Sequence, residues 1–459
     1  MKNSALKIMF AFLLKFNRRN LKKIAIIFIS SVCFIFSACA KPKNTAKMPD
    51  RQPVNTAALG PAIEEAAQTE IEKTDPAELK KQKQQEAVQN FVENLTNEQL
   101  IAQLFVLGID GKTGLPAYVQ NEFAEAAPGS FLLFSSNITN NAKDLCDFTS
   151  SIYNWFSQQG IAPLLLIDNE GGAVYRLNQI ASPLPSAKNI AQSFKVQKAE
   201  DYYALIAKQM RALGLHVNLA PLVEVQNQAN IAFLGSRTFG DAENVENYAA
   251  AAVKGFSSQQ IGAVLKHFPG NTNIDPHASL PHLDVDSETL QNQYIAPFAA
   301  LIKYNPAMVL MSHIVVDCVD DKPACFSPRM INDILRGKLG FNGVVISDDL
   351  YMGALAKNGY PIEVAAVQAV NAGVNLLMLS EKHFGKAFDV LIEEFENNSD
   401  FAQKVKDSVE KIIRLKIELG LMNFDDDQMK ITAGEKLNAE EMFNDFSAAK
   451  KEALDFLTR

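Results

Sequence analysis

The chain has 459 residues, enough for one large core of roughly 200 to 300 residues with appendages, or for two domains. With 47% hydrophobic and 21% charged residues and a mean hydropathy of -0.04, collagen, coiled coil, global disorder and a polytopic membrane protein are excluded. The net charge of -8 argues against general affinity for nucleic acid or anionic lipid, and five cysteines without metal-type spacing give neither a disulfide framework nor a zinc site.

The first 38 residues carry seven basic side chains (Lys2, Lys7, Lys15, Arg18, Arg19, Lys22, Lys23) and no acidic one, and end in an apolar run of fifteen residues, Ile24 to Ala38. That run is shorter than the roughly 20 residues a spanning helix needs, so the segment reads as an export signal. It closes on Phe36-Ser37-Ala38-Cys39, which resembles a bacterial lipobox with Phe36 in place of the usual leucine. Cys39 is therefore the expected lipidation site, with an ordinary secretory signal or an uncleaved anchor as the alternative. Removing these 38 residues with their seven positive charges leaves 421 residues at a net charge of -15. Residues 39–90, rich in Lys, Glu, Gln, Ala and Pro, are expected to be a flexible tether, spanning on the order of 40 Å as a coil of about 50 residues.

From about residue 95, short apolar runs alternate with amphipathic stretches, the pattern of repeated β/α units whose strands are buried on both faces. Eight strands are expected: Gln103 to Leu107, Gly129 to Phe134, Pro163 to Ile167, His216 to Leu219, Gly262 to Lys266, Ala307 to Met311, Gly343 to Ile346 and Asn375 to Leu379. Helices are expected between them, among others over Ala142 to Gln158, Ala199 to Leu213 and Ala242 to Ser258. The fold class is thus α/β, a single (β/α)8 TIM barrel over residues 91–423. A doubly wound sheet would show a Gly-rich phosphate turn after its first strand, and none is present. Residues 424–459 are expected to form a short acidic and helical tail, too short for a second catalytic domain.

Active sites of such barrels gather at the C-terminal ends of the strands. Strand three is followed by Asp168-Asn169-Glu170-Gly171-Gly172, and strand four by a loop reaching Gly235-Ser236-Arg237-Thr238-Phe239-Gly240. Strand five is followed by Lys266-His267-Phe268-Pro269-Gly270, strand six by Ser312-His313, and strand seven by Ser347-Asp348-Asp349. Singly, each has a bland role: Asp168 and Asp348 as helix caps, Arg237 as a surface charge, His267 or His313 as a hydrogen-bonded core imidazole. Together they place costly polar groups on one rim, which a purely structural barrel has no use for. No HxH or HxxxH pair occurs and Lys266 adjoins His267, so no metal or other cofactor is expected. Ser347 and Cys318 lack the context that activates a nucleophile.

These segments, with Asp275-Pro276-His277 and Ser347-Asp348-Asp349-Leu350-Tyr351-Met352-Gly353-Ala354, resemble glycoside hydrolase family 3, most of all its single-barrel bacterial β-N-acetylglucosaminidases. The resemblance runs from about Leu95 to Leu421. It implies a retaining mechanism through a covalent glycosyl-enzyme, with Asp348 as nucleophile; the run preceding it leaves Asp349 as a rival, and the resemblance decides for Asp348. It implies His277 as acid/base with Asp275 orienting the ring, where the residues alone allow an Asp-Pro turn with a solvent-exposed histidine. It implies substrate-binding roles for Asp168, Arg237, Lys266 and His267; His313 and Met352 lie within the same motifs.

Three departures from the family pattern stand out. Four residues separate Gly270 from Asp275 where the family usually has six. Ala173 replaces a common arginine, and Glu224 replaces a usual aspartate. The expected function is an exported, lipid-anchored exo-β-N-acetylglucosaminidase, a monomer acting on GlcNAc-containing glycans from peptidoglycan or chitooligosaccharides, with no nucleic-acid partner. The alternatives are a β-glucosidase, a GlcNAc phosphorylase and a non-catalytic glycan-binding lipoprotein.

Overall fold

The computed structural model describes residues 75–275 and 279–458. The export signal, Cys39, most of the expected tether and His277 lie outside the described residues. Among those described, no helix is long and apolar enough to cross a membrane.

Eight parallel strands form one sheet: β1 (Phe105–Gly108), β2 (Ser130–Leu133), β3 (Leu164–Ile167), β4 (Val217–Asn218), β5 (Gly262–Phe268), β6 (Met308–Met311), β7 (Val344–Ser347) and β8 (Leu377–Leu379). Each overlaps an expected strand. Most of their residues are Leu, Val, Ile, Phe and Met, and all are buried, as strands sandwiched between a barrel interior and an outer helical layer must be. Neighbours pair in chain order, β1 pairs β8, and a bridge between Ile346 and Leu376 joins β7 to β8. The sheet is thereby a nearly closed (β/α)8 barrel, whose parallel strands carry all their C-terminal ends to one rim.

The outer helices follow from caps and stripes. Helix α2 (Ala142–Ser157) starts where the Asn141 side chain accepts from the Lys143 amide, and buries Leu145, Phe148, Ile152 and Phe156 at three- and four-residue spacing. Helices α3 (Val196–Ala212) and α4 (Ala242–Ser257) pack against each other, the latter capped by Asp241.

Two stretches depart from expectation. Residues 76–90, assigned to the flexible tether, belong to helix α1 (Pro76–Glu93), capped by Asp75 with proline in its first turn. Its overall polarity hides one apolar edge, Ala87, Val88 and Val92, which is buried in the core and packs against helix α5 (Ser399–Glu418). Tertiary burial stabilises this helix where composition alone argues for a coil. The tail is not only helical: it opens with an antiparallel hairpin, β9 (Met422–Asp425) and β10 (Lys430–Ala433), before helix α6 (Ala439–Leu457) lies across α3 and α2. Phe456 stacks on Tyr202, and Lys450 Nζ donates to the Ile180 carbonyl.

Candidate active site

A cavity of about 330 Å³ opens at the C-terminal rim, lined among others by Asp168, Glu170, Arg237, Lys266, His267, Asp348, Asp349 and Met352. Asp168, Arg237, Lys266, His267 and Asp348, named from the sequence, are therefore brought together.

Strand β5 supplies two adjacent side chains. In a regular strand neighbours point to opposite faces, but the register of β5 against β6 shifts between Lys266 and Phe268, and both Lys266 and His267 line the cavity. Lys266 Nζ lies 2.8 Å from Asp168 Oδ1 and 2.6 Å from Glu170 Oε1. Arg237 grips Glu170 with both arms of its fork, Nε to Oε2 at 2.9 Å and a terminal nitrogen to Oε1 at 2.8 Å. Burial pulls the Lys266 ammonium down, but Asp168 and Glu170 outweigh it and hold the group above the ordinary lysine value. Burial likewise raises Glu170, yet Lys266 and Arg237 bring its carboxyl down to about 2. The rim thus holds four fixed charges in alternating sign.

Glu170 is a site residue that sequence reasoning quoted within a motif without giving it a role. Its signal was there: a carboxylate two residues after Asp168, followed by glycines with positive φ at Gly171 and Gly172. A Cβ at Gly171 would meet the Pro185 carbonyl oxygen at 2.3 Å, so the turn that aims Glu170 inward requires glycine.

Glu224 is the second. It is buried beneath the cavity, and its Oε1 lies 2.7 Å from His267 Nδ1. The same carboxylate accepts from the Asn271 amide at 2.6 Å and from Asn271 Nδ2 at 2.9 Å. It therefore joins the imidazole of strand five to Asn271 in the loop that follows. A carboxylate on Nδ1 makes that nitrogen the donor and leaves Nε2 for a ligand.

The two consecutive aspartates have different duties. The carboxylate of Asp349 accepts from the amides of Tyr351 and Ser380, both at 3.0 Å, and so braces the loop. Among the described residues, Asp348 Oδ1 accepts only a local bond, from the Asp349 amide at 2.9 Å. Burial raises the Asp348 carboxyl, but His313, His267, the Asp349 amide and Lys266 together hold it below the usual aspartate value. It stays ionised at neutral pH, as an attacking carboxylate must. His313 is buried; burial lowers its pKa, only partly countered by Asp348, and its Nε2 lies 3.0 Å from the Asp349 carbonyl oxygen.

Asp275 is exposed, its carbonyl accepting from the Ser279 amide at 3.2 Å, and it is not among the residues lining the cavity. Among the described residues no three His, Cys, Asp or Glu side chains converge to hold a metal ion. What the cavity offers is the carboxylate of Asp348 beside paired carboxylates, cations and an imidazole, a lining rich in donors and acceptors that is matched to a small polar ligand.

Residues 96–415 match the family model described as the glycosyl hydrolase family 3 N terminal domain. A β-hexosaminidase of Stenotrophomonas maltophilia (strain R551-3) is 32% identical over 289 residues, which cover 60% of this chain and 83% of the relative. β-Hexosaminidase A of Pseudoalteromonas piscicida is 29% identical over 339 residues, 67% of this chain and 56% of that longer protein. Among solved structures, a family 3 β-N-acetylglucosaminidase from Paenibacillus sp. str. FPU-7 superposes with a TM-score of 0.68 at 26% identity, covering 78% of this chain and 69% of that one. A β-N-acetylhexosaminidase from Beutenbergia cavernae DSM 12333 gives 0.62 at 25% identity, covering 70% and 99%.

Proposed function

This chain belongs to glycosyl hydrolase family 3, and from that membership we propose that it is a retaining exo-β-N-acetylglucosaminidase that removes terminal β-GlcNAc from peptidoglycan fragments or chitooligosaccharides. The observation that carries the reading is the rim cavity, in which an ionised Asp348 stands among Asp168, Glu170, Arg237, Lys266 and His267.

In the first step a carboxylate oxygen of Asp348 attacks the anomeric carbon as the bond to the leaving oxygen breaks, and the imidazolium of His277 gives that oxygen its proton. In the second, the now neutral His277 takes a proton from water, whose oxygen displaces Asp348 and restores both groups. Asp275 holds the ring in orientation and favours its charged form. Lys266, Asp168, Arg237 and His267 hold hydroxyls and the acetamido group of the terminal sugar. Glu170, locked between Lys266 and Arg237, fixes both donors before substrate arrives, so little ordering remains to be done on binding.

Incubation with aryl β-GlcNAc and aryl β-glucoside tests this reading directly. Release of the aryl alcohol from the GlcNAc compound at least tenfold faster supports it; glucoside preference, or binding of GlcNAc without turnover between pH 5 and 8, overturns it. A sugar 1-phosphate appearing in phosphate buffer would reassign the reaction as phosphorolysis. The enzyme is further proposed to be an exported monomer held to a membrane through acylated Cys39, supported by the basic, apolar and small-residue order of residues 1–39. Labelled palmitate should enter the natural chain and not Cys39→Ser; equal labelling of both would exclude this anchor.

A further inference from the structure

His313 stands just past the end of β6, and the chain later runs back alongside it. Val315 bridges Pro323 in antiparallel sense, and the Ala324 amide donates to the Ile314 carbonyl at 2.8 Å. The next pair in that register is Cys325 opposite His313, and Cys325 Sγ lies 3.3 Å from the ring's Nδ1. The other ring nitrogen, Nε2, lies 3.0 Å from the Asp349 carbonyl oxygen. Both side chains are buried.

These two contacts say where the protons sit. A carbonyl oxygen can only accept, so Nε2 carries a proton. Burial, only partly countered by Asp348, lowers the His313 pKa, so at pH 7 the ring is neutral and has that one proton alone. Nδ1 is then a bare acceptor, and the thiol is its donor. Burial and the nearby Asp348 carboxylate push the Cys325 thiol well above the ordinary cysteine value, so the proton stays on sulfur. The donors therefore run one way, from sulfur to Nδ1 and from Nε2 to the Asp349 oxygen.

What the ring holds is the turn that carries Asp348. This segment reaches that turn twice: the Met311 carbonyl accepts from the Asp348 amide at 3.1 Å, and His313 gives its proton to the carbonyl of the next residue. The Met352 amide reaches the same carbonyl at 3.1 Å. In the opposite tautomer, Nε2 would turn a lone pair on the Asp349 oxygen, and Nδ1–H would meet a sulfur, a weak acceptor. Both contacts favour the same ring state, although the thiol alone is a weak donor.

We propose that Cys325 is a positioning residue for the reaction: its S–H fixes His313 in the tautomer that pins Asp349, and thereby keeps the Asp348 carboxylate presented to the cavity. The proposal rests on the hydrolase reading, and its test separates the two. Serine and alanine leave nearly the same void at this position, but only serine can donate. Nitrogen NMR of the histidine-labelled protein without substrate, with the His313 signal identified by its loss in His313→Gln, reads the ring directly. Nε2 should be protonated and Nδ1 bare at pH 7 in the natural chain and in Cys325→Ser, and the ring should be mixed in Cys325→Ala. With aryl β-GlcNAc, kcat should stay within about threefold in Cys325→Ser and fall about tenfold in Cys325→Ala, with KM nearly unchanged in both. A protonated Nδ1 in the natural chain, or equal kcat in the two variants, overturns the proposal. Should Cys325→Ala lose its fold, the ring in the natural chain and in Cys325→Ser still decides, since Nδ1 protonated in either overturns it. Absence of turnover by the natural chain overturns the hydrolase reading, whereas the ring proton, read without substrate, still shows whether Cys325 sets the tautomer.

Discussion

Lys266 and Lys416 are buried at opposite ends of the same barrel, 3% and 0% exposed, under opposite electrostatic conditions. Lys266, near the C-terminal end of β5, has two carboxylates within 2.8 Å and is held above the ordinary lysine pKa. Lys416, on α5, meets the neutral Gln103 Oε1 at 2.7 Å, just before β1 begins, and burial drives its pKa down to about 7. His216, close by at the start of β4, is also pushed well below its usual value, first by burial and then by Arg211 and Lys416. Equal burial leaves one amine charged and the other close to neutral, so partners and not depth decide charge. The rim keeps its charges by pairing them around an opening, as a site for polar ligands must; the floor keeps few and closes over them.

Several substitutions would break or sharpen this contrast. The largest effect is expected at the rim: Asp348→Asn should lower turnover of aryl β-GlcNAc roughly a thousandfold or more while circular dichroism and melting stay close to those of the natural chain. Full activity would remove Asp348 from the nucleophile role. Lys266→Met leaves Asp168 and Glu170 without their shared cation, and should cost about 3–5 kcal/mol of stability in urea titrations together with a large loss of kcat/KM. The same change on the floor, Lys416→Met, should be neutral or stabilising at pH 7, because it removes an amine that gains little from its neutral partner. Comparable destabilisation by the two variants would refute the contrast.

Stability against pH separates the two ends as well. The folded pKa of Lys416 lies below that of the unfolded chain, so unfolding takes up a proton between about pH 7 and pH 10.5. Stability from this group therefore rises with pH across that window, by on the order of a few kcal/mol, and Lys416→Met should lack that rise. Glu170, held at about 2 against an ordinary 4.5, acts on the acid side: its contribution is present above pH 4.5 and lost as pH falls toward 2. A milder loss of activity than at Asp348 is expected for Glu224→Gln, which keeps an acceptor for Asn271 but no longer fixes the His267 ring through a carboxylate. A loss of kcat/KM on the order of 10- to 100-fold with a displaced pH profile is expected, whereas a merely structural role would lower stability and leave the profile in place.

The barrel was legible because each strand is a short apolar run between polar loops, a local pattern that survives without knowledge of contacts. The rim was legible for a second local reason: polar residues follow strand ends in sequence as they do in space. What stayed hidden was pairwise. Glu170 takes its meaning from Lys266 and Arg237, far along the chain, and Glu224 from an asparagine 47 residues away. Helix α1 was hidden differently, since Ala87, Val88 and Val92 are too few to outweigh the surrounding Lys and Gln until helix α5 packs against them. The surroundings of Asp348 and Asp349 could not be told apart from residue type at all; the amides of Tyr351 and Ser380 go to Asp349 alone among the described residues.

That last brace sits on the seam of the barrel. Strands β7 and β8 share a single bridge, between Ile346 and Leu376. The join is completed by bonds of other kinds: the Ser347 amide to the Leu376 carbonyl, the Met378 amide to Ser347 Oγ, the Leu350 amide to the Met378 carbonyl, and the Ser380 amide to the Asp349 carboxylate. In the language of amide hydrogen exchange, Met378, Leu350 and Ser380 report whether the cylinder is shut. Since Asp348 lies between these stitches, every excursion that parts the seam also dismantles the surroundings of the proposed nucleophile. Exchange at those three amides and loss of the carboxylate's geometry should then share one opening free energy, so the enzyme has no route to a slack barrel with a sound active site.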